Sequence, residues 1–292
     1  METIRIATLN INGMTSPTKI AMMENFLHTW EIDILLVQEV TKQVLHNLRG
    51  YQTLYNIGTN YRGTAIIAKE GIAFENITRI PSGRAIAARF NDCWLINIYG
   101  PSGTARRQDR EAFYTGELVH VLTQPANNIL MAGDFNCTLE KGDATGTLNQ
   151  SRALTEIIRG MELRDAWNRT PESPGYTHYS TNGASQLDRI YVTKELYQRK
   201  EGLETIIAAF TDHLAVCLHL KQDKPILRMG RGYWKLDSTI FDNSAITQKL
   251  TTLWGQLQQQ KRCFPNKTMW WDRYVKRRLT HFMQREQVER HK

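Results

Sequence analysis

The stretch "LMAGDFNC" (residues 130–137) puts two polar side chains at the end of an apolar run. The run "NNILMAG" (127–133) is typical of a strand that is buried on both faces, and Asp134 and Asn136 follow it closely. Gly-Asp-x-Asn is also a favourable turn, because Asp and Asn side chains bond the nearby backbone. The two polar residues therefore either turn the chain or form part of a functional site at the strand end.

Similar runs, short and rich in β-branched residues, recur along the chain up to residue 220. They predict nine strands, at 4–11, 32–39, 63–69, 85–90, 93–100, 127–133, 187–192, 204–210 and 214–220. Helical patterns lie at 16–30, 109–124 and 150–161. Because several neighbouring strands have no helix between them, the pattern predicts an α/β fold with mixed sheets rather than a βαβ repeat.

The composition changes near residue 222, where the strand-like runs stop. We predict a first domain at 1–221 and an extension at 222–292 that contains two amphipathic, tryptophan-rich helices. The chain carries a net charge of +8, and residues 261–292 hold ten Lys and Arg against three Asp and Glu. Such a basic segment is either a solvated helix face or a surface that binds nucleic acid.

Features of export and of membrane insertion are missing from this sequence. The 292 residues contain no apolar stretch of the roughly 18 residues that a membrane span needs. The N-terminal "METIRIATLNI" enters a strand almost at once, unlike a signal peptide. Cys93, Cys137, Cys217 and Cys263 form no CxxC pair, which favours reduced thiols. We therefore expect an intracellular protein that does not associate with a membrane.

Polar residues end or open six of the segments in a repeated way. They are Asn10, Glu39, Tyr99, Asp134 with Asn136, Asp188, and Asp212 with His213. Each residue taken alone is explained by a cap or a turn, but ligand sites gather at strand ends in α/β sheets. Four carboxylates placed together repel one another unless a cation or a protonated histidine offsets them. The set therefore predicts a site for a hard divalent metal such as Mg²⁺.

Taken in order, the segments "TLNIN", "VQE", "IYGP", "GDFN", "LDRI" and "TDH" resemble the endonuclease/exonuclease/phosphatase superfamily. Within it the chain is most similar to the endonuclease domain of LINE-type, non-LTR retrotransposons, in the apurinic-endonuclease-like branch. The resemblance covers residues 3–221 and implies a four-layer α/β sandwich, with two packed mixed sheets flanked by helices and a C-terminal helical extension. "GRGYWKLD" (230–237) and the helices after it look like the linker that precedes the reverse transcriptase in such proteins.

The activity that the resemblance implies is a Mg²⁺-dependent DNA endonuclease, with Mn²⁺ as a substitute, that nicks one strand and leaves a 3′-hydroxyl. Glu39 would be the principal metal ligand, with Asn10 beside it. Asp134 would orient and deprotonate the attacking water, and Asn136 would help to hold water or phosphate. The nick would prime reverse transcription at the target in the nucleus, with RNA or a reverse-transcriptase domain as partners of the extension.

Contacts to the phosphate follow from the same resemblance. His213 would contact a non-bridging phosphate oxygen, and Asp212 would fix the orientation of the imidazole. Asp188 would belong to the carboxylates near His213 and the metal. Tyr99 and Thr177 would hydrogen-bond the phosphate.

Further contacts to double-stranded DNA are expected on two loops and on the residue before Asp-His. "HYSTNGASQ" (178–186) carries an Asn-Gly turn and predicts a hairpin, which by resemblance probes the minor groove. Beside Thr177, the residues expected to contact DNA are Tyr179, Asn182, Arg106, Arg107, Arg110 and Thr211. Thr211 departs from the family, which usually has Ser there. An ordinary surface hairpin and a solvated start of a helix are the alternatives for the two loops.

Three other functions are compatible with these motifs. A phosphatase or phospholipase of the same superfamily would share the metal site and differ in the loops. A repair apurinic endonuclease would need a pocket for a flipped-out abasic sugar. A non-catalytic nucleic-acid-binding module with an eroded site would have lost at least one site residue, and the whole set is present.

Overall fold

The chain divides into two units, residues 1–231 and 232–292. The structure, a computed structural model, describes residues 3–13, 16–41, 48–59, 62–103, 106–123, 126–146, 148–170, 173, 175–181, 183–222, 236, 238–263 and 266–290. The predicted domain boundary at 222 stays a prediction, because the segment that follows it lies outside the described residues.

Two six-stranded mixed sheets form the first unit. The strands are β1 Thr3–Asn10, β2 Ile34–Thr41, β3 Tyr51–Ile57, β4 Arg62–Lys69, β5 Glu75–Arg79, β6 Ala85–Phe90, β7 Cys93–Tyr99, β8 Asn128–Asp134, β9 Arg164–Asp165, β10 His178–Ser180, β11 Gly183–Ser185, β12 Asp188–Val192, β13 Lys200–Ile207 and β14 Leu214–Lys221. The first sheet has the order β13-β14-β1-β2-β4-β3, and the second has the order β5-β6-β7-β8-β12-β9. Strands β10 and β11 pair separately as a hairpin. Three strands, β3, β5 and β9, were not predicted from the sequence.

Helices cover the outer faces of both sheets. Those of the first unit are α1 Pro17–Thr29, α2 Arg107–Ala112, α3 Val119–Leu122, α4 Arg152–Gly160 and α5 Lys194–Gln198. Helix α1 begins where Ser16 accepts a hydrogen bond from the backbone N–H of Lys19, at 3.2 Å, and has Pro17 as its first residue. The single helix predicted at 109–124 is instead α2, a π-helical turn at Phe113–Glu117, and α3.

Three layers of apolar side chains hold these elements together. A central cluster between the sheets includes Ile6, Leu36 and Leu130. A second cluster packs α1 on the first sheet, and a third packs the helices after β7 on the second sheet. The predicted four-layer α/β sandwich is therefore confirmed.

The interior between the sheets becomes polar toward one end. Side chains two residues apart on a strand share a face, so Asn97 of β7 follows Leu95 into the interior. Its amide donates to the backbone oxygens of Val37 (2.9 Å) and Ala65 (2.8 Å) in the opposite sheet. The amide of Gln38 donates to Oδ1 of Asn97 at 2.7 Å. One inward position farther along the strands lie the candidate site residues.

The second unit is helical. Its helices are α6 Ser244–Gln259, α7 Lys267–Trp270 and α8 Lys276–Arg290. Trp270 is buried and donates a hydrogen bond from Nε1 to the backbone oxygen of Leu257, at 3.1 Å. Lys249 pairs with the buried Glu286 at 2.9 Å, whereas Trp271 is exposed. The amphipathic helices predicted for the extension are present.

Two further observations concern the cysteines and the lengths of the helices. Cys93, Cys137 and Cys217 are buried free thiols, as predicted for these three positions. Within the described part of the chain, helices of the length and apolarity that a bilayer crossing requires are not found.

Candidate active site

Strand ends from both sheets deliver polar side chains to one end of the sandwich. They are Asn10 of β1, Glu39 of β2, Tyr99 of β7, Asp134 of β8 and Asp188 of β12. The sheet register fixes their neighbours, because Asp134 is the direct partner of Tyr99 on one side and of Asp188 on the other. His213 lies just before β14 and is buried against the same group.

Glu39 reaches the site from a β-bulge. The pairing between β2 and β4 shifts between Gln38 and Val40, and Glu39 has a φ of +58°. A left-handed conformation is unfavourable for a glutamate, so its presence here indicates a position that the surrounding structure enforces. The bulge turns the carboxylate of Glu39 toward the end of the interior.

Three side chains donate hydrogen bonds to the Glu39 carboxylate. Oε1 accepts from the Tyr99 hydroxyl at 2.9 Å and from the Asn10 amide at 3.3 Å. Oε2 forms an ion pair with Nη1 of Arg62 at 2.7 Å. Burial, together with the negative charge of Glu39, raises the pKa of Tyr99 to about 12. Tyr99 therefore stays a hydrogen-bond donor at neutral pH.

Asn10 joins two carboxylates. Its amide nitrogen donates to Oδ2 of Asp134 at 2.8 Å as well as to Glu39, and its Oδ1 accepts from the backbone N–H of Asn12 at 2.9 Å. That backbone donor fixes the orientation of the amide. The oxygen of Asn10 is engaged by the backbone in this structure, and its role as a metal ligand stays a prediction.

Asp134 and Asn136 form a turn and also belong to the candidate active site. The backbone N–H of Asn136 donates to Oδ1 of Asp134 at 2.9 Å, and its amide donates to Oδ2 at 3.1 Å and to the Gly100 oxygen at 3.0 Å. Burial and the nearby Asp188 raise the pKa of Asp134 to about 7, although His213 and Asn10 oppose the rise. The turn is thus the means by which a buried carboxylate is held beside Asn10.

Asp188, rather than Asp212, orients His213. Nδ1 of His213 lies 2.7 Å from Oδ2 of Asp188, and both side chains are buried. Burial lowers the pKa of His213, but Asp188, together with Asp134 and Asp212, outweighs burial and raises this pKa to about 9. The hydroxyl of Thr177 also donates to Oδ2 of Asp188, at 2.7 Å. The roles predicted for Asp212 as the orienting carboxylate and for Thr177 as a phosphate donor stay predictions that these contacts do not support.

Asp212 belongs to a different pair. It is exposed, accepts from the Asn12 amide at 3.2 Å, and lies 3.7 Å from Nε2 of His178. The ring of His178 stands 4.7 Å from the ring of His213, centroid to centroid. Burial and the charge of His213 lower the pKa of His178, although Asp212 and Asp188 oppose this. Sequence reasoning missed His178, although it noted both of its neighbours.

The donor set fits a hard divalent cation. One ligand atom from each of Asp134, Asp188 and His213 lies within 4.8 Å of the others, and Glu39 joins this group through Asn10. Among the described residues, none donates a hydrogen bond to the buried Oδ1 of Asp188. A buried carboxylate oxygen without a donor is costly, and a cation removes the cost.

Another group of potential ligands, Glu204, Cys217 and His219, lies on β13 and β14. Its carboxylate already forms an ion pair with Arg5 at 2.8 Å and contacts Nε2 of His219 at 2.9 Å. We interpret this group as an ion-pair network of the first sheet.

The residues predicted to contact DNA include three exposed side chains and one that bonds the backbone. Tyr179 of the hairpin is 58% exposed, and Arg106 and Arg107 are also exposed. The hydroxyl of Thr211 donates to the backbone oxygen of Asn10 at 2.8 Å. Asn182 lies outside the described residues. The roles of these residues in binding DNA stay predictions.

Arg110 differs from the other two arginines that were predicted to contact DNA. Its side chain is fully buried, and Nη1 donates to the backbone oxygens of Pro101 and Gly103, both at 3.3 Å, while Nη2 bonds Asn149. It therefore holds the loop after β7 and cannot reach a phosphate. The sequence alone did not reveal this, because a basic run gives no sign of which arginine turns inward.

A buried ion-pair cluster anchors the β10–β11 hairpin. Asp143 is fully buried between the guanidinium groups of Arg169 and Arg189. Its backbone oxygen accepts from Gln186 N–H at 2.8 Å, next to the hairpin. Arg189 also pairs with Asp165 at 2.6 Å. The β10–β11 hairpin is therefore connected to a buried ion-pair cluster that holds its base in place.

Comparison with known proteins places this geometry in context. The profile of the Endonuclease/Exonuclease/phosphatase family matches residues 7–213. A curated relative, the transposon TX1 uncharacterized 149 kDa protein of Xenopus laevis, is 21% identical over 290 residues, which covers 92% of this chain and 22% of the relative. The chain thus spans about a fifth of the length of that relative.

Solved structures share the fold. An AP endonuclease from Archaeoglobus fulgidus superimposes with a TM-score of 0.63 at 21% identity, covering 75% of this chain and all of that one. The AP endonuclease LMAP from Leishmania major gives 0.63 at 15% identity, covering 75% and 88%. The 3′ phosphatase NExo from Neisseria, bound to a product DNA hairpin, gives 0.62 at 16% identity, covering 75% and 100%.

Proposed function

The chain belongs to the endonuclease/exonuclease/phosphatase family, and from this premise we propose that it is a divalent-metal-dependent DNA endonuclease. It nicks one strand of double-stranded DNA by phosphodiester hydrolysis and leaves a 3′-hydroxyl. One observation carries the proposal. A buried carboxylate, Asp134, lies within one group with the His213–Asp188 pair and shares Asn10 with Glu39.

Glu39 is the proposed principal ligand of Mg²⁺ or Mn²⁺, and Oδ1 of Asp188, to which none of the described residues donates, is the proposed further carboxylate oxygen. A bound divalent cation there would neutralise phosphate charge and stabilise the leaving oxygen. Asn10 holds Glu39 and Asp134 together by donating to both. The ligand set therefore needs little rearrangement when the cation binds.

Asp134 is the proposed general base. Burial and the nearby Asp188 raise the pKa of Asp134 above that of an ordinary aspartate, which makes it a stronger base. The amides of Asn10 and Asn136 both donate to Oδ2, so the carboxylate is fixed before a water molecule arrives. Asn136 holds that oxygen from the turn that follows β8.

His213 is the proposed donor to a non-bridging phosphate oxygen. Its pKa of about 9 keeps it an imidazolium at neutral pH, and Asp188 engages Nδ1, so Nε2 is the nitrogen that serves the phosphate. A positive donor in a buried site stabilises the charge that develops on the phosphate. Tyr99 donates to Glu39 and in this way positions the carboxylate.

Double-stranded DNA is the proposed substrate. The exposed Tyr179 stands on an anchored hairpin, and the exposed Arg106 and Arg107 lie on the loop after β7. Arginines bind the phosphate backbone and fix the register of the protein on the duplex. The DNA hairpin in the Neisseria structure shows that this fold accommodates DNA in that protein.

The similarity to a transposon protein supports a role in retrotransposition. We propose that the nick primes reverse transcription at the target site in the nucleus, as in LINE-type elements. The extension at 222–292, with its basic C-terminal part, is the proposed contact for RNA or for a reverse-transcriptase domain.

The ends of the nick test this function. Supercoiled plasmid is incubated with the chain and Mg²⁺, and the open circles are then given a DNA polymerase and labelled nucleotides. Direct extension shows a 3′-hydroxyl. Ends that extend only after phosphatase treatment would contradict the proposed cleavage chemistry. Release of phosphate from a 3′-phosphate primer without any nicking would favour a phosphatase instead.

A further inference from the structure

Arg62 is the charged neighbour of Glu39. Its Nη1 lies 2.7 Å from Oε2, while Oε1 accepts from Tyr99 and Asn10 on the interior side. The two oxygens of one carboxylate are thus divided between the interior and a guanidinium. The side chain of Glu39 is 13% exposed and that of Arg62 is 55% exposed, so the ion pair lies at the border between site and solvent.

The backbone of Arg62 is held by hydrogen bonds, whereas more than half of its side chain is exposed. Arg62 begins β4 opposite Thr41, and its backbone oxygen accepts from the N–H of Gly58 at 3.3 Å. A Cβ on Gly83 would lie 2.2 Å from the nitrogen of Gly58 and 3.1 Å from the oxygen of Arg62. Only glycine permits this close approach, and Gly83 has a φ of +78°. The backbone that carries the guanidinium is therefore held in place.

A divalent cation and Arg62 compete for Glu39. Both are positive, and a cation bound to this carboxylate repels a guanidinium on the same group. Arg84 and Lys19 lie nearby, but they donate to the backbone oxygens of Tyr99 (3.2 Å) and Asn12 (3.3 Å). Cation binding to Glu39 therefore leaves the hydrogen bonds of Arg84 and Lys19 intact. Arg62 differs from them because its partner is the predicted ligand.

The planar guanidinium suits a phosphate, which it binds through two parallel hydrogen bonds. We propose that Arg62 exchanges the Glu39 carboxylate for a backbone phosphate of DNA when a divalent cation binds Glu39. Arg62 in this way couples cation binding to DNA binding. The inference rests on the proposed function and adds a phosphate-binding residue that is available only in the cation-bound site.

Cation affinity gives the first test, and it does not depend on activity. Mn²⁺ binding is measured by electron paramagnetic resonance for the unchanged chain, Arg62→Gln and Arg152→Gln. Arg152 forms an exposed ion pair with Glu156 at 2.8 Å and is the matched control. Loss of the competing pair should tighten Mn²⁺ binding about two- to fivefold in Arg62→Gln and leave the control unchanged.

DNA affinity gives the second test. Anisotropy of a labelled duplex is measured in EDTA and in Mn²⁺, with Asp134→Asn present throughout to keep the DNA intact. In EDTA, Arg62→Gln should bind as well as the form that retains Arg62. In Mn²⁺ it should bind several-fold more weakly, with a salt slope reduced by about one. Arg62→Lys, which keeps the charge without the fork, should fall between the two.

Two results would overturn the inference. One is an unchanged Mn²⁺ affinity in Arg62→Gln, which shows that no competition exists. The other is an equal loss of DNA affinity in EDTA and in Mn²⁺, which shows a phosphate contact without exchange. The proposed function fails differently, because the unchanged chain would then neither bind Mn²⁺ nor nick DNA. Thermal unfolding of each variant separates these results from misfolding.

Discussion

Nδ1 of His213 lies 2.7 Å from Oδ2 of Asp188, whereas Asp212, its neighbour in sequence, turns toward Asn12 and His178. Two histidine–carboxylate pairs therefore stand side by side, one buried and one exposed. The buried pair fixes which nitrogen of His213 faces the substrate. Asp188→Asn and Asp212→Asn should consequently have different effects.

Asp188→Asn should lower the pKa of His213 from about 9 toward its ordinary value and slow nicking about 10- to 100-fold. The carboxylate that stabilises the imidazolium is lost in this variant. Titration of His213 followed by NMR measures the first effect. Asp212→Asn is the comparison and should lower the pKa of His213 less than Asp188→Asn does, because Asp212 makes the smaller contribution and does not bond the imidazole. Equal decreases in the two variants would contradict the assignment.

The rate of nicking should fall as the pH rises through about 9. A group whose pKa is raised in the folded protein keeps its proton up to that higher pH, so His213 loses its positive charge only there. Rates of plasmid nicking between pH 6 and 10 measure the alkaline limb. In Asp188→Asn this limb should move to lower pH. A limb that stays in place would show that another group titrates.

Gly133→Ala should destabilise the first unit by about 2 kcal/mol or more. A Cβ at Gly133 would lie 1.9 Å from the backbone oxygen of Ile98, because β7 and β8 approach closely just before Asp134. Gly116→Ala is the control, since nothing lies within 4 Å of its Cβ position. Urea unfolding of both variants measures the difference. Equal stability would contradict the close approach.

Asp143→Asn should lower the free energy of unfolding by about 3 kcal/mol or more, because the buried Arg189 and the partly buried Arg169 lose their shared carboxylate. Burial raises the pKa of Asp143, but Arg189, Arg169 and the backbone donors of Glu140 and Leu139 together outweigh burial and hold the pKa below its ordinary value. Its stabilisation is therefore complete above about pH 3.9, the pKa of an unfolded Asp, and is lost as the pH falls through the lower folded value.

Acid unfolding of Asp143→Asn checks this prediction, with Glu156→Gln as the control. Glu156 forms an exposed pair with Arg152, so its loss should cost less than about 0.5 kcal/mol. The Asp143 variant should also lose the part of the acid transition that Asp143 contributes. An acid transition identical to that of the unchanged chain would contradict the role of the buried cluster.

Much of the fold and the candidate site was predictable because a short apolar run is a local property. Such runs placed Asn10, Tyr99 and Asp134 at the ends of strands, and the family resemblance supplied the two packed sheets. The family assignment is confirmed by the profile match over residues 7–213. Apolar runs ending in carboxylates were sufficient to indicate where the site lies.

What the sequence could not supply is register and direction. Asp188 rather than Asp212 meets His213 because β12 pairs with β8 so that Asp188 faces Asp134. Arg62 reaches Glu39 because a bulge in β2 turns the glutamate. Arg110 points inward because Asn149 and two backbone oxygens accept hydrogen bonds from its guanidinium. Each of these contacts joins segments that are distant in sequence, and no local pattern encodes them.

Conversion of supercoiled plasmid to open circles tests the central claim most directly. Three proteins are compared in Mg²⁺ and in EDTA: the unchanged chain, Asp134→Asn and the surface control Glu156→Gln. The account predicts nicking by the first and third that EDTA abolishes, and a rate about 10²- to 10⁴-fold lower for Asp134→Asn. Nicking that persists in EDTA, or an Asp134→Asn variant as active as the control, would contradict it.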